Sequence, residues 1–191
     1  MSVVEFAGLE LATRPGVVMT PRATSIALVD LAVAHIGNRP CRVVDVGTGS
    51  GAIAITIATR SPAAIVWATD RSREAVELAE RNVASAGLTD RIFVREGDLL
   101  EPVAGPVDVI VANLPYLPAH ERRLHPELAS EPVAALFAPG DGQGSYRRLL
   151  AAAASRLDEQ GLLALQFRGE VISAFASRLA ELKILFRAAA A

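Results

Sequence analysis

The sequence predicts an α/β fold, in which a mostly parallel sheet carries helices on both faces. Short apolar runs bounded by turn residues alternate with segments of helical period, the pattern from which such sheets are built. Most runs are apolar at consecutive positions, as strands buried on both faces should be. The 191 residues are 51% hydrophobic, which suits one domain that buries roughly 70% of its unfolded surface. We expect a single domain over 1–191, with an extension at 1–23 and a core at 24–191.

Five apolar runs are predicted strands, and a sixth run is weaker. The five cover 42–46, 65–69, 91–94, 107–112 and 162–167, and the weaker one covers 183–186. These runs are short and rich in branched side chains, which favours strand over helix. They supply enough strands for one central sheet.

Helices are predicted between these strands. Residues 74–86 place apolar side chains on one face, while Glu77 and Arg81 can pair one turn apart on the other. Residues 24–36 and 145–157 are also predicted helices, each beginning near a Ser or Thr that can cap free backbone amides.

Composition restricts the classes of function. Nineteen basic and 21 acidic residues give a formal net charge of -2, so no overall basic field attracts nucleic acid. Cys41 is the only cysteine, and the three histidines are not paired with thiols at zinc-like spacing. No segment approaches the length of a membrane span, and no basic run precedes an apolar core at the amino terminus. We expect a cytoplasmic protein without a metal or a membrane segment.

A glycine-rich turn follows the first of these strands and precedes a helical run at 52–59. Glycines let the backbone approach a ligand closely, which indicates a nucleotide-like ligand. Gly47, Gly49 and Ala52 also satisfy the dinucleotide fingerprint G-x-G-x-x-A, and Asp70 ends the next strand. The turn alone therefore does not exclude an oxidoreductase that binds a nicotinamide dinucleotide.

The ends of the later strands favour S-adenosylmethionine as the cofactor. Asp70 can hold ribose hydroxyls with either ligand, whereas Asp98 adds an acceptor near an adenine, and no residue pattern marks a nicotinamide proton relay. The predicted cofactor-binding residues are Asp45, Gly47, Thr48, Gly49, Gly51, Asp70, Asp98, Leu99 and Asn113.

The quartet Asn113, Leu114, Pro115 and Tyr116 is the predicted catalytic site. The run at 107–112 should deliver Asn113 to the carboxyl end of its strand, where open α/β sheets bind ligands. Pro115 then forces the chain out of the ladder. A polar side chain, a backbone carbonyl and an aromatic face converge there, which suggests methylation of a planar nitrogen. The following segment, 116–144, is predicted to cover a substrate.

Several short motifs follow one another along most of the chain. They are Thr20-Pro21-Arg22-Ala23-Thr24, Asp45-Val46-Gly47-Thr48-Gly49-Ser50-Gly51, Ala68-Thr69-Asp70, Gly97-Asp98-Leu99, Asn113-Leu114-Pro115-Tyr116, Glu131-Pro132 with Ala135-Leu136, and Asp141-Gly142. In these motifs and their order the chain resembles the HemK-type class I methyltransferases, which modify the glutamine side-chain amide of peptide-chain release factors. The resemblance implies a Rossmann-like fold, S-adenosylmethionine as cofactor and a release factor as protein substrate.

The chain departs from that family at several places. Leu114 stands where proline is usual in this family, and the resulting motif Asn-Leu-Pro-Tyr resembles that of the ribosomal-RNA adenine dimethyltransferases. An adenine N-methyltransferase that acts on RNA or DNA therefore remains an alternative function. Gln166 stands where the family tends to have glutamate. We expect a short form, because barely twenty residues precede the predicted core, whereas the release-factor enzymes carry a helical amino-terminal domain. A final strand hairpin is not evident either, so we expect the sheet to be truncated at its carboxyl-terminal hairpin. A small activating partner or a second copy would cover the exposed edge.

The chemistry implied by the resemblance explains the quartet. An amide nitrogen is a poor nucleophile because its lone pair is delocalised into the carbonyl. The Asn113 side-chain oxygen and the Leu114 backbone carbonyl could accept the two amide hydrogens and orient the nitrogen, with Tyr116 against the planar group. A catalytically inactive, cofactor-binding partner subunit is the remaining alternative.

Overall fold

The computed structural model describes residues 1–186, except for the side chains of 183–185. The strands are β1 (Ser2–Phe6), β2 (Leu9–Thr13), β3 (Cys41–Val46), β4 (Ala64–Asp70), β5 (Ile92–Glu96), β6 (Val107–Ala112), β7 (Leu117–Pro118), β8 (Phe137–Ala138), β9 (Leu157–Phe167) and β10 (Glu170–Phe175). The α-helices are α1 (Ile26–Ile36), α2 (Ala52–Arg60), α3 (Arg73–Ser85), α4 (Val133–Leu136), α5 (Gly144–Ala153) and α6 (Leu179–Leu185). Short 3-10 helices cover Ala23–Ser25, Ala119–Leu124, Pro126–Leu128 and Ala176–Arg178.

The central sheet has the strand order β10-β9-β6-β3-β4-β5, and every neighbouring pair except β9 and β10 is parallel. The chain begins the sheet at β3, moves outward through β4 and β5, and returns to the other side of β3 with β6. This reversal is a topological switch point, where open α/β sheets bind ligands. Val46 pairs with Ala112, so Gly47 and Asn113 leave the sheet side by side.

The sheet confirms the predicted fold class. The run at 107–112 matches β6 without change, and the other four predicted strands lie within or across β3, β4, β5 and β9. The sixth predicted strand, 183–186, is wrong, because α6 ends there. The edge position is taken by β10, which pairs with β9 in an antiparallel hairpin. A terminal hairpin is therefore present, although we expected the sheet to lack one.

The three predicted helices are present at the predicted positions, but their ends differ from the predicted ones. Residues 24–36 divide into a 3-10 turn and α1, and α5 stops at Ala153 because β9 begins at Leu157. Neither α1 nor α5 has the predicted side-chain cap. The Ser25 hydroxyl donates instead to the Gln166 side chain, whereas α3 is capped by Ser72, which accepts from the Ala75 amide.

Two apolar layers enclose the sheet. Val43 and its neighbours pack on α1, α2 and α3, while Val44 and Val46 pack towards α5 and α6. Residues 1–23, expected to form an extension, include the β1–β2 hairpin, whose Phe6 and Leu11 join the first layer. Among the helices of residues 1–186, none is long and apolar enough to cross a membrane.

Candidate active site

A cleft of about 190 Å³ opens at the carboxyl ends of β3, β4, β5 and β6. Its walls bring together most of the residues predicted from the sequence. Those that line it are Gly47, Gly49, Asp70, Asp98, Leu99, Asn113, Leu114 and Pro115. A smaller cavity of about 60 Å³ adjoins it, and Gly47, Gly49 and Asn113 line both. Asn113 therefore lies where the two cavities meet.

Gly47 allows the glycine turn to lie against the quartet. Its φ angle is +73°, and a Cβ atom there would be 2.7 Å from Leu114 Cδ2. A side chain at this position would be strained and would collide with Leu114. The glycine thus keeps the floor of the cleft open, as close approach to a ligand requires.

Asp70, at the end of β4, is the acid best placed to hold a ligand. One carboxylate oxygen accepts from the Gly49 amide at 3.0 Å and the other from the Ser72 amide at 2.9 Å. Burial raises the pKa of Asp70, while these two hydrogen bonds oppose the rise. Each oxygen keeps lone-pair capacity, so the carboxylate could also accept hydrogen bonds from a ribose.

Asp45 lies beneath the turn and does not line the cleft. It is fully buried, and one carboxyl oxygen accepts from the Thr48 hydroxyl at 2.7 Å and the Ala54 amide at 3.1 Å. The other oxygen has no hydrogen-bond partner among the described residues. Burial raises the pKa of Asp45 to about 7. Asp45 therefore fixes the turn against the start of α2, away from the predicted cofactor contact.

Two other predicted cofactor residues also lie outside the larger cleft. Thr48 lines the smaller cavity, together with Thr20, Arg22 and Ser25. Gly51 lies against Ala79 and Ile55, on the side of the packed helices.

Asp98 is in the cleft but is already paired. Arg148, from α5, donates to both carboxylate oxygens of Asp98 and itself lines the cleft. The pair is partly exposed, so Asp98 can still accept from a ligand. The pairing of Arg148 with Asp98 was not predicted from the sequence, because the two residues lie 50 positions apart.

The first two residues of the quartet are held by buried polar groups. The Asn113 Nδ2 group donates to Ser25 Oγ at 3.1 Å. The Leu114 carbonyl, predicted to be a free acceptor, lies 2.8 Å from the Tyr146 hydroxyl, which also accepts from the Leu114 amide at 3.1 Å. A carbonyl oxygen has two lone pairs, so this contact leaves room for one further donor.

Tyr116 does not line either cavity. Its ring packs edge-on against Phe167, with 5.4 Å between the ring centroids. The segment that follows supplies one wall of the cleft through Pro132, Ala135 and Pro139. Glu131 attaches this wall to the entry segment, because its carboxylate accepts from the Thr20 amide at 3.1 Å and lies 3.6 Å from Arg22.

Comparison with protein families identifies the chain. The model of the methyltransferase small domain matches residues 11–141. The chain belongs to this family. This membership confirms that the protein is a methyltransferase, as the residues at the strand ends predicted, and not a nicotinamide oxidoreductase.

Relatives of this methyltransferase domain agree with the HemK-type resemblance. A release factor glutamine methyltransferase from Gloeobacter violaceus is 41% identical over 83% of this chain and 56% of its own length. A ribosomal protein uL3 glutamine methyltransferase from Bordetella pertussis is 41% identical over 80% of this chain and 53% of its own. The chain thus spans slightly more than half the length of these relatives. A methyltransferase structure from Pyrococcus furiosus shares the fold, with a TM-score of 0.60, 19% identity and coverage of 93% of this chain and 75% of its own.

Proposed function

We propose that this chain transfers a methyl group from S-adenosylmethionine to the side-chain amide nitrogen of a glutamine in a protein, such as a release factor. One observation carries the proposal. The Asn113 amino group is turned inward onto Ser25, which leaves the Asn113 carbonyl oxygen to the junction of the two cavities. A hydrogen-bond acceptor at that position suits an amide N–H. The names of the relatives support the same chemistry.

The cleft residues suit the cofactor. Asp70 offers carboxylate oxygens for ribose hydroxyls, and Gly47 leaves room that a side chain would fill. Val18, Leu99 and Ala135 provide apolar surface against which an adenine can pack. When bound, S-adenosylmethionine supplies a methyl group made electrophilic by its positively charged sulfur. The chain itself has to place the acceptor nitrogen.

Asn113 and Leu114 would orient that nitrogen. The Asn113 carbonyl oxygen and the second lone pair of the Leu114 carbonyl accept the two amide hydrogens, which holds the amide plane in one orientation. Methylation makes the nitrogen acidic, so its proton can leave to water without a dedicated base. Catalysis is then mainly positioning, which the buried contacts behind the quartet favour.

The remaining expectations concern the whole protein. We propose that 1–191 is one methyltransferase domain and that it acts in the cytoplasm. The edge strands β5 and β10 are the places where a small activating protein or a second copy would add to the sheet.

Label transfer tests the proposed activity. The purified chain is incubated with methyl-labelled S-adenosylmethionine and, separately, a release-factor domain containing Gly-Gly-Gln, its Gln-to-Ala variant, and unmodified ribosomal RNA. We expect label only in the glutamine-containing protein. Label in the RNA would instead support the adenine alternative. Cofactor binding without transfer to any acceptor would support an inactive partner subunit.

A further inference from the structure

A buried chain of polar side chains lies directly behind Asn113. Ser25, just before α1, is 5% exposed, and Gln166, near the end of β9, is 4% exposed. The Ser25 hydroxyl donates to Gln166 Oε1 at 2.7 Å, and the same hydroxyl oxygen accepts from Asn113 Nδ2 at 3.1 Å. Both hydrogen bonds join side chains, so neither belongs to the backbone hydrogen bonding of a helix or the sheet. They join three separate segments of the chain behind the cleft.

The direction of these hydrogen bonds determines which end of the Asn113 amide faces the cleft. A serine hydroxyl has one proton, and here that proton goes to Gln166. Asn113 must then approach Ser25 with its amino group, and its carbonyl oxygen faces outward. If these hydrogen bonds ran in the opposite direction, the Asn113 amino group would face the substrate amide. That donor would repel the N–H groups that have to be bound.

The backbone of Gln166 reaches the second acceptor by another route. Its carbonyl oxygen lies 2.6 Å from the Tyr146 hydroxyl, a shorter contact than the 2.8 Å to the Leu114 carbonyl. A phenol has one proton, so Gln166 competes with Leu114 for it, and at least one lone pair of the Leu114 carbonyl stays available. The Tyr146 ring is fully buried and stacks on Phe186 with 5.1 Å between centroids, which fixes the hydroxyl.

We propose that Gln166 is a positioning residue, which acts through Ser25 to direct the Asn113 carbonyl oxygen into the cleft. This inference rests on the proposed glutamine methylation. Gln166 lines neither cavity, so its effect must be transmitted by these hydrogen bonds. The Gln166 side chain sets the direction of the Asn113 amide, and its backbone carbonyl helps to hold the Tyr146 hydroxyl against Leu114.

Steady-state kinetics with a release-factor domain test the side-chain route. Gln166→Met and Ser25→Ala both remove the link, and we expect kcat to fall about 10- to 100-fold. For Gln166→Met, the KM for the protein and the Kd for S-adenosylmethionine should stay within about threefold, because Gln166 lines neither cavity. For Ser25→Ala the Kd should also stay within about threefold, because Ser25 lines only the smaller cavity. Ser61→Ala is the matched control, since Ser61 is equally buried and its hydroxyl has no partner in the described part of the chain.

The conservative variant Gln166→Glu tests the direction of the hydrogen bonds. An ionised carboxylate only accepts, so it supports the Ser25 proton pointing at residue 166 and excludes the opposite direction. We expect Gln166→Glu to recover most of the kcat that Gln166→Met loses. Equal losses in the two variants would overturn the assigned direction. If Gln166→Glu unfolds, which circular dichroism would show, the exchange of the Asn113 side-chain amide protons decides the direction, because Ser25 protects them only if Asn113 Nδ2 is the donor.

A readout that needs no substrate separates this inference from the proposed function. In ¹⁵N-labelled protein, the Asn113 side-chain amide protons should exchange slowly, and Ser25→Ala should accelerate that exchange while Ser61→Ala does not. If the wild type methylates glutamine but Ser25→Ala keeps full kcat, or if the exchange rate is unchanged, the inference fails. If the wild type transfers no label to glutamine, the proposed function fails, and the exchange measurement still tests the hydrogen bond.

Discussion

The two walls of the cleft are stabilised in different ways. The glycine-turn wall, residues 45–54 with Asp70, is held by many hydrogen bonds. Some join close neighbours in the sequence, such as Thr48 to Asp45 and Ala54 to Asp45, and others join residues further apart, such as Gly49 to Asp70 and Asn82 to Ser50. The cover wall, residues 116–144, contains two 3-10 helices without a buried side chain. It is attached through Glu131, whose partner Thr20 lies 111 positions away. The difference teaches that the ligand-facing turn is fixed by several hydrogen bonds to the fold around it, whereas the cover is attached to the entry segment through a single carboxylate, Glu131.

Asn113 lies between these walls, and its replacement should have the largest effect. Removing one preorganised acceptor should raise the barrier by about 3 to 4 kcal/mol, so Asn113→Ala should lose about 100- to 1000-fold in kcat. Cofactor affinity, measured by calorimetry, should change little because the glycine-turn wall is intact. Asn38→Ala, at an exposed asparagine, is the control. Retained turnover would sink the role assigned to Asn113.

Within the glycine-turn wall, Asp45 should make stability depend on pH. Its pKa rises from 3.8 in the unfolded chain to about 7 in the fold, so between these values the folded protein binds the extra proton. The free energy of unfolding should therefore fall as pH rises from about 4 to about 7 and then level off, by on the order of 4 kcal/mol from this group. Asp45→Asn should lack this slope in urea unfolding at several pH values. Parallel curves for the two proteins would contradict the buried, protonated carboxyl.

In the cover wall, Gly142 tests how tightly this segment is packed on the quartet. A Cβ atom there would lie 2.2 Å from the Tyr116 carbonyl oxygen, at a φ angle of +81°. Gly142→Ala should lower the free energy of unfolding by about 1 to 3 kcal/mol and raise the KM for the protein substrate. Gly140 has a similar φ angle, +62°, but open space around it, so Gly140→Ala measures the backbone strain without a collision. Gly142→Ala should unfold at a lower denaturant concentration than Gly140→Ala. Equal midpoints would mean that the close approach of residue 142 to Tyr116 does not affect stability.

The attachment of the cover through Glu131 should have the smallest effect on stability. Its ion pair with Arg22 is partly exposed, and such pairs contribute about 0 to 1 kcal/mol. Glu131→Gln keeps an acceptor for the Thr20 amide, so unfolding should change by less than about 1 kcal/mol, while KM for the protein rises a few-fold. Glu127→Gln, in the same segment but remote from the entry segment, provides the comparison. A large loss of stability would show that the cover wall is as firmly held as the turn.

The sequence predicted the elements that are determined locally. β6 was placed correctly because its apolar run is bounded by Pro106 and Pro115, and the glycine turn is identified by its spacing. The β1–β2 and β9–β10 hairpins were missed for a shared reason. Their two-residue turns, Ala7-Gly8 and Arg168-Gly169, have positive φ at both residues, yet they lack the Asn or Asp that usually marks such turns.

The candidate site shows the same limit. The strand-end residues were predictable, because parallel strands bring their carboxyl ends together. Ser25, Gln166 and Tyr146 were not, since the bonds among them and the quartet span between 20 and 141 positions. A polar glutamine within the apolar end of β9 was the one local signal. Asp45 shows what spacing alone does not reveal, because this conspicuous acid is buried beneath the turn, where it holds Thr48 and Ala54 and does not line the cleft.

The measurement that tests the central claim most directly is the identity of the methylated atom. Protein labelled by this chain with methyl-labelled S-adenosylmethionine would be hydrolysed in acid, and the labelled product that distils before and after the hydrolysate is made alkaline would be identified. An N-methylated glutamine side chain releases labelled methylamine, which is the result we predict. Labelled methanol would show a methyl ester on a carboxylate, and label retained in a nucleobase of copurified RNA would show adenine methylation. Either result would contradict an amide nitrogen held by Asn113 and Leu114.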